Sequence, residues 1–204
     1  MELSPVIYNR IIDPLLASSR DRIIKHIAEG SRVIDIASGT GELVFDMAVR
    51  SSDVTGVDIE DTMINFAMKR QNGFENKNIS FLKADVRQLD IFQQGSFDLA
   101  TMSMALHQFD PSDWPKILKE VFRIAGKLLI LDYSNPLPVG FKKSLVFIVE
   151  RIAGRAHSRN FRIYNREGGV IPIVESYNYK CTHYEISGSG IFSLYHIELA
   201  NGIN

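Results

Sequence analysis

The sequence predicts an α/β fold built on a doubly wound, largely parallel sheet, and three observations carry that expectation. The first is Val33-Ile34-Asp35-Ile36-Ala37-Ser38-Gly39-Thr40-Gly41-Glu42-Leu43. This apolar run turns through small residues and re-enters a helical pattern at Leu43, Val44, Met47 and Ala48, as a strand, tight loop and helix would. The second is the alternation that follows, with β-type runs at 54–58, 79–84, 96–102 and 127–131 separated by helical stretches. The third is a pair of alternating segments, 180–186 and 191–199, around Ser187-Gly188-Ser189-Gly190, which reads as a β-hairpin.

A chain of 204 residues suits one α/β domain with a modest cap. Hydrophobic content of 45% with 23% charged residues is ordinary for a soluble globule with a sizeable core. A net charge of −1 supplies no basic field for nucleic acid. The single cysteine, Cys181, excludes an internal disulfide and gives no metal-ligand pattern, so no metal is expected. The start lacks the basic and apolar regions of a signal peptide, and no run approaches the roughly 20 apolar residues of a membrane span. Cytoplasm is the expected location.

Taken in order, Asp13-Pro14 reads as a helix start, with Leu16, Ile23, Ile24 and Ile27 as its stripe and Gly30 as its stop. At the loop, Gly39 and Gly41 allow backbone to approach a ligand without an intervening Cβ. Nucleotide-like ligands bind at such a junction in open α/β sheets. The third glycine of a dinucleotide fingerprint is replaced by Val44. Asp35 is awkward beside a pyrophosphate but favourable beside an ammonium or sulfonium group. Val54-Thr55-Gly56-Val57-Asp58 forms the second strand, and Asp58 follows Gly41 at close to the interval at which a strand-end acid meets a ribose. A helix from Glu60-Asp61 then shows Met63, Ile64, Ala67 and Met68 on one side.

These residues resemble motif I of the class I S-adenosylmethionine-dependent methyltransferases, an acid followed by a small-residue turn ending in Gly-x-Gly. Ala37 fills the first small position, often glycine in that superfamily, and Ala-x-Gly-Thr-Gly resembles the quinone-ring C-methyltransferases of ubiquinone and menaquinone synthesis. The resemblance covers residues 30–136 well and the tail in outline. It implies a Rossmann-like sheet of seven strands, six parallel and one antiparallel, with the antiparallel one in the C-terminal hairpin. It also implies S-adenosyl-L-methionine as cofactor. The implied binding set is Asp35, Ala37, Ser38, Gly39, Thr40, Gly41, Asp58, Ile59, Met63, Asp85, Val86, Met102, Ser103 and Tyr8. Within it Asp85 would accept from the adenine amino group, Val86 would lie beside the ring, and Tyr8 would belong to an N-terminal lid or pack on the sheet edge.

Beyond the loop, 73–77 is turn-like, and Ser96-Phe97-Asp98-Leu99-Ala100-Thr101-Met102 reads as the fourth strand. The stretch after it, through Phe109, should line the pocket where methyl group and acceptor meet. It lacks the Pro-Pro-aromatic motif with which amino-group methylases hold a nucleic acid base. His107 has two readings, a base for a hydroxyl or ring carbon, or a scaffold bonded to backbone beside the cofactor. Asp113 and Pro115 open a helix with Ile117, Leu118, Val121 and Ile124 inward, and the fifth strand leads into a loop from Asp132 to Pro138. There Tyr133 either contacts the acceptor or stacks within the loop. The apolar helix at 141–152 caps the pocket, packs in the core, or lies on a membrane surface. His157-Ser158-Arg159-Asn160-Phe161-Arg162 is a basic cluster that meets an acidic acceptor or is solvated, and a short helix spans 173–177.

The expected organisation is a single domain, with an N-terminal lid and helix (1–30), a cofactor-binding core (31–136), a helical cap (137–178) and a hairpin (179–204). The expected activity is methyl transfer to a ring carbon or hydroxyl of a small, partly hydrophobic molecule. Its rivals are a catalytically silent cofactor-binding domain acting through a partner, and a nicotinamide-dependent oxidoreductase, the latter disfavoured by Val44, Asp35 and the hairpin ending.

Overall fold

The computed structural model describes residues 13–73 and 78–200. Helix α1 (Asp13–Lys25) leads into β1 (Arg32–Ile36), α2 (Glu42–Met47), β2 (Asp53–Asp58), α3 (Asp61–Gln71) and β3 (Ile79–Lys83). Then come β4 (Leu99–Ser103), two 3₁₀ turns (Leu106–Gln108 and Pro111–Asp113), α4 (Trp114–Ile124) and β5 (Leu128–Tyr133). Helices α5 (Phe141–Ala153), α6 (Arg155–Arg166) and α7 (Val170–Glu175) occupy the interval expected for the cap, before β6 (Tyr179–Ile186) and β7 (Phe192–Leu199).

The seven strands lie in the order β3-β2-β1-β4-β5-β7-β6. β1 to β5 pair in parallel, while β7 runs antiparallel to both β5 and β6. Six strands therefore share one direction, as the resemblance implied. The winding reverses between β1 and β4, which opens a crevice at their carboxyl ends, just where the small-residue loop leaves β1. β5 is buried at every position because helices cover both its faces. Alternation splits neighbouring residues between two cores: Ile34 and Ile36 join Met102, Leu118, Ile130 and Phe161 on one side. Val33 joins Ile23, Val44, Leu129 and Leu131 on the other.

Several boundaries differ from the sequence reading. α1 stops at Lys25, and Ile27 reaches the core from a tighter turn in which His26 and Ile27 donate to the carbonyls of Ile23 and Ile24. The fourth strand starts at Leu99, because Asp98 is spent gripping Arg32, and Phe97 makes only an isolated bridge to Ala125. Met68 is 47% exposed, off the buried side of α3. α7 begins three residues earlier than 173, after Gly169. Asp132 and Tyr133 belong to β5 rather than to a loop, paired with Ser193 and Phe192. Core packing accounts for only one side of α5: Val146 is buried, while Phe141 is 80% and Ile152 66% exposed. The turn expected at 73–77 falls mostly outside the described residues.

Candidate cofactor and acceptor site

The loop after β1 turns through left-handed backbone at Ala37 (φ 56°), Gly39 (φ 53°) and Gly41 (φ 78°). The amide of Ser38 donates to Val57 on β2, and that of Gly41 returns to Ser38, so the loop is fixed against the sheet. The two glycines serve different ends. A Cβ on Gly39 would meet nothing within 4 Å among the described residues, which leaves room for a ligand there. A Cβ on Gly41 would fall 2.6 Å from Phe81 Cζ and 3.2 Å from Ala67 Cβ, inside the core. Close helix–sheet packing therefore explains Gly41, correcting the expectation that both glycines make room for ligand. Ser38 Oγ is buried with no hydrogen-bond partner among the described residues.

Two acids sit beneath this loop. Asp58 accepts from the amides of Gly39 (2.8 Å) and Glu60 (2.9 Å), one on each carboxylate oxygen. Burial raises its pKa, with those peptide donors opposing the shift. Asp35 is 2% exposed and accepts from Thr101 Oγ1 at 2.7 Å. Burial pushes it up to about 7, against the Thr101 hydrogen bond and helped by the charge of Asp58. Among the described residues no Lys, Arg or His forms an ion pair with either.

The other expected residues are less uniform. Asp85 lies half exposed after β3 and is clasped by Arg87, whose Nε donates at 2.8 Å to Oδ1; this hydrogen bond lowers the Asp85 pKa. An adenine amino group there would share the carboxylate with a guanidinium. Val86 is buried, Thr40 is buried, Met63 and Ser103 are half buried, and Ile59 is exposed. Met102 is shut into the core beside Ile36 and Ile130, so its side chain does not face the loop. Tyr8 lies outside the described residues.

Across the crevice end of β4 and β5 lies a buried polar cluster. His107, on the first 3₁₀ turn and 1% exposed, places Nδ1 2.6 Å from Asp132 Oδ1 and Nε2 3.5 Å from Glu150 Oε1. Tyr133 donates its hydroxyl to the same Glu150 oxygen at 2.8 Å, and Tyr164 donates to the Tyr133 carbonyl at 2.7 Å. Burial works against charge on His107, but Asp132 and then Glu150 outweigh it and raise its pKa to about 10. An imidazolium has no lone pair, so this environment revises the expectation of a base. The scaffold reading is also modified, since side-chain carboxylates rather than backbone hold the ring.

Glu150 is the residue the sequence reading missed. Its Oε2 is buried without a partner among the described residues, and His107 keeps the group ionised in spite of burial. The only signal was a single acid inside an apolar helix. The basic cluster at 157–162 divides: Asn160 and Phe161 are buried, while Arg159 and Arg162 join Arg151, Arg155, Ser158 and Ile163 around a groove of about 480 Å³.

A family profile described as a methyltransferase domain matches residues 33–127. This match, over just under half of the chain, supports a class I, S-adenosylmethionine-dependent methyltransferase domain. Over 117 residues the chain is 32% identical to a demethylmenaquinone methyltransferase of Lactococcus lactis, covering 54% of this chain and 45% of that one. Over 151 residues it is 22% identical to a demethylmenaquinone methyltransferase of Bacillus cereus, covering 70% and 62%. It thus spans about half to three-fifths of these curated relatives. In fold it is similar to a SAM-dependent methyltransferase from Aquifex aeolicus, with TM-score 0.68, 18% identity and coverage of 97% and 100%. It is also similar to mitomycin 7-O-methyltransferase, with TM-score 0.71, 15% identity and coverage of 95% and 57%. Among the described residues no helix is long and apolar enough to cross a membrane. The loop fits the cofactor of this class: among the described residues Gly39 is open, Ser38 Oγ has no hydrogen-bond partner, and the two buried acids have no cation.

Proposed function

We propose that this chain transfers the methyl group of S-adenosylmethionine to a ring carbon or hydroxyl of a small, partly hydrophobic acceptor. The observation that carries the reading is the uncompensated burial of the Asp35 and Asp58 carboxyl groups, with no cation on either among the described residues, beside the open face of Gly39. A ligand bearing ammonium and sulfonium charge would relieve it. When bound, the cofactor supplies an electrophilic methyl on a good leaving group. The chain's own part is then alignment and exclusion of water. Asp58 would hold the ribose hydroxyls, Asp85 would share its carboxylate with the adenine amino group, and the Gly39 backbone would face the methionine portion.

On the acceptor side, Glu150 has an oxygen without a partner among the described residues and would take a hydrogen bond from the acceptor hydroxyl, while His107, shared with Asp132, offsets part of its charge. The names of the curated relatives favour a hydroxylated aromatic ring, the chemistry of a quinol. We extend the proposal to place: Phe141, Ile148 and Ile152 recur on one exposed stripe of α5, as a helix resting on a lipid surface would present them.

Calorimetric titration with S-adenosylmethionine, S-adenosylhomocysteine and NAD tests the donor, followed by a labelled-methyl screen of phenols and quinols. Binding of the first two ligands and label in a ring-hydroxylated product are expected. Binding of NAD alone would overturn the donor assignment. Donor binding without label in any acceptor would favour a silent domain.

A further inference from the structure

Three of the chain's five histidines meet at one place, far from the methyl-transfer crevice. His183 on β6 and His196 on β7 form a cross-strand pair. Glu185, two residues along β6, shares the face of His183. His26, in the turn after α1, lies over them. The ring centroids of His26 and His196 are 4.3 Å apart, and those of His183 and His196 are 5.2 Å apart. His26 Nε2 lies 2.6 Å from Glu185 Oε1, and His183 Nε2 lies 3.6 Å from the same oxygen.

Two further facts distinguish this cluster from a surface hydrogen bond. His196 Nε2 is buried and has no hydrogen-bond partner among the described residues. One donor atom each from His26, Glu185 and His196 lie within 4.8 Å of one another. Metal–nitrogen and metal–oxygen bonds of about 2.0–2.2 Å need donors roughly 3.3 Å apart in a tetrahedron, so small side-chain rotations would close the set. His26 and Glu185 keep about a third of their side-chain surface exposed, which gives an ion a way in.

We propose that His26, Glu185 and His196 bind a divalent transition metal of the zinc type, with exposed His183 or water as the fourth ligand. Imidazoles with one carboxylate suit zinc, nickel or copper better than magnesium or calcium. The neighbouring charges are compatible. Arg22 reaches Glu185 only at 3.9 Å and spends its donor on the Ile186 carbonyl at 2.8 Å. Glu198 adds negative charge near His196. Cys181 turns its thiol to the His183 carbonyl and is not a ligand.

The site's position gives it a role. His196 pairs with Leu129 near the start of β5, whereas the Gly39 loop leaves the opposite, carboxyl end of β1. A metal here would clasp the end of α1 to the terminal hairpin without touching the methyl-transfer crevice. It would hold the edge of the sheet, where β6 is paired on one side only among the described residues.

The test uses the full chain stripped with a chelator, titrated with Zn²⁺ by calorimetry and with Co²⁺ by visible absorption. One ion per chain and the ligand-field bands of a nitrogen-and-oxygen, low-coordinate Co²⁺ site are expected. At a hundredfold excess over its dissociation constant Zn²⁺ should raise Tm by roughly 5–10 °C, and Mg²⁺ should not. His196→Ala and Glu185→Gln should each weaken Zn²⁺ at least about tenfold while S-adenosylhomocysteine affinity stays unchanged; His157→Ala on α6 should leave Zn²⁺ binding intact. A wild-type chain giving neither heat with Zn²⁺ nor such bands with Co²⁺ overturns the proposal, whatever the variants do. So does binding that survives His26→Ala with His196→Ala.

Discussion

The two ends of the crevice bury acids in opposite electrostatic states. Beneath the Gly39 loop, Asp35 and Asp58 are buried with no cation among the described residues, and burial raises both pKa values. Under the cap, Asp132 and Glu150 are buried around His107, whose pKa of about 10 makes it a resident cation. One end thus carries a cation of its own, shared by two carboxylates, while the other would gain one only from a positively charged ligand. Stability belongs to the first and binding to the second, and each can be perturbed separately.

The largest effect should come from removing the resident cation. His107→Ala leaves two buried carboxylates without a cation, a loss of about 3–5 kcal/mol. For a chain of this size that lowers Tm by roughly 6–20 °C in thermal unfolding. The pH dependence has a definite sign. A folded pKa raised from 6.5 to about 10 gives stabilisation fully present below 6.5 and lost as pH rises through about 10. The Tm gap between wild type and variant should therefore narrow between pH 7 and 10. An unchanged Tm at pH 7 would break the comparison at the cap.

At the loop, Asp58→Ala should cost about 1.5–3 kcal/mol of cofactor binding, ten- to a hundredfold in calorimetric affinity. Equal S-adenosylhomocysteine affinity in a folded variant would remove Asp58 from the ribose. Asp35→Asn tests the same end with the opposite sign. Because the folded pKa is raised from 3.8 to about 7, the ligand-free chain loses stability as pH climbs through that range. The amide cannot ionise and still accepts from Thr101. At pH 8 the variant should be more stable by on the order of 2 kcal/mol and bind S-adenosylmethionine more weakly. A variant less stable than wild type at pH 8 would show that Asp35 is not an electrostatic cost.

The donor end was far more legible in the sequence than the acceptor end. The strand–loop–helix at 33–43 and the acid closing β2 are local patterns, set by small residues and alternation, and the structure brings Asp35, Gly39 and Asp58 together as neighbours. Gly41 shows the limit of that reading, because its constraint is the Phe81 ring, which arrives from β3. The cap cluster joins residues from a 3₁₀ turn, β5 and α5, and no spacing links His107 to Glu150. The histidine cluster is equally hidden, since His26 meets His196 only when the last strand inserts beside β5.

The smallest effect sharpens the comparison most, because it asks whether Tyr133 belongs to the stable cluster or to the acceptor. Its hydroxyl donates to Glu150 Oε1 at 2.8 Å, and its ring stacks on Phe192 at 5.5 Å between centroids. Tyr133→Phe keeps the ring and removes one hydrogen bond to a carboxylate. The loss should be about 1.5 kcal/mol, the low end for a charged acceptor, because His107 remains beside the same oxygen. Thermal unfolding should then shift by roughly 3–6 °C, with turnover per folded molecule nearly unchanged. If Tyr133 instead touches the acceptor, turnover or KM should change while Tm hardly moves. The two outcomes are separable because Glu150 links them. A cluster that relaxes to give Glu150 a second contact with His107 would raise the His107 pKa further, and the pH range over which wild type and Tyr133→Phe differ in Tm would report it.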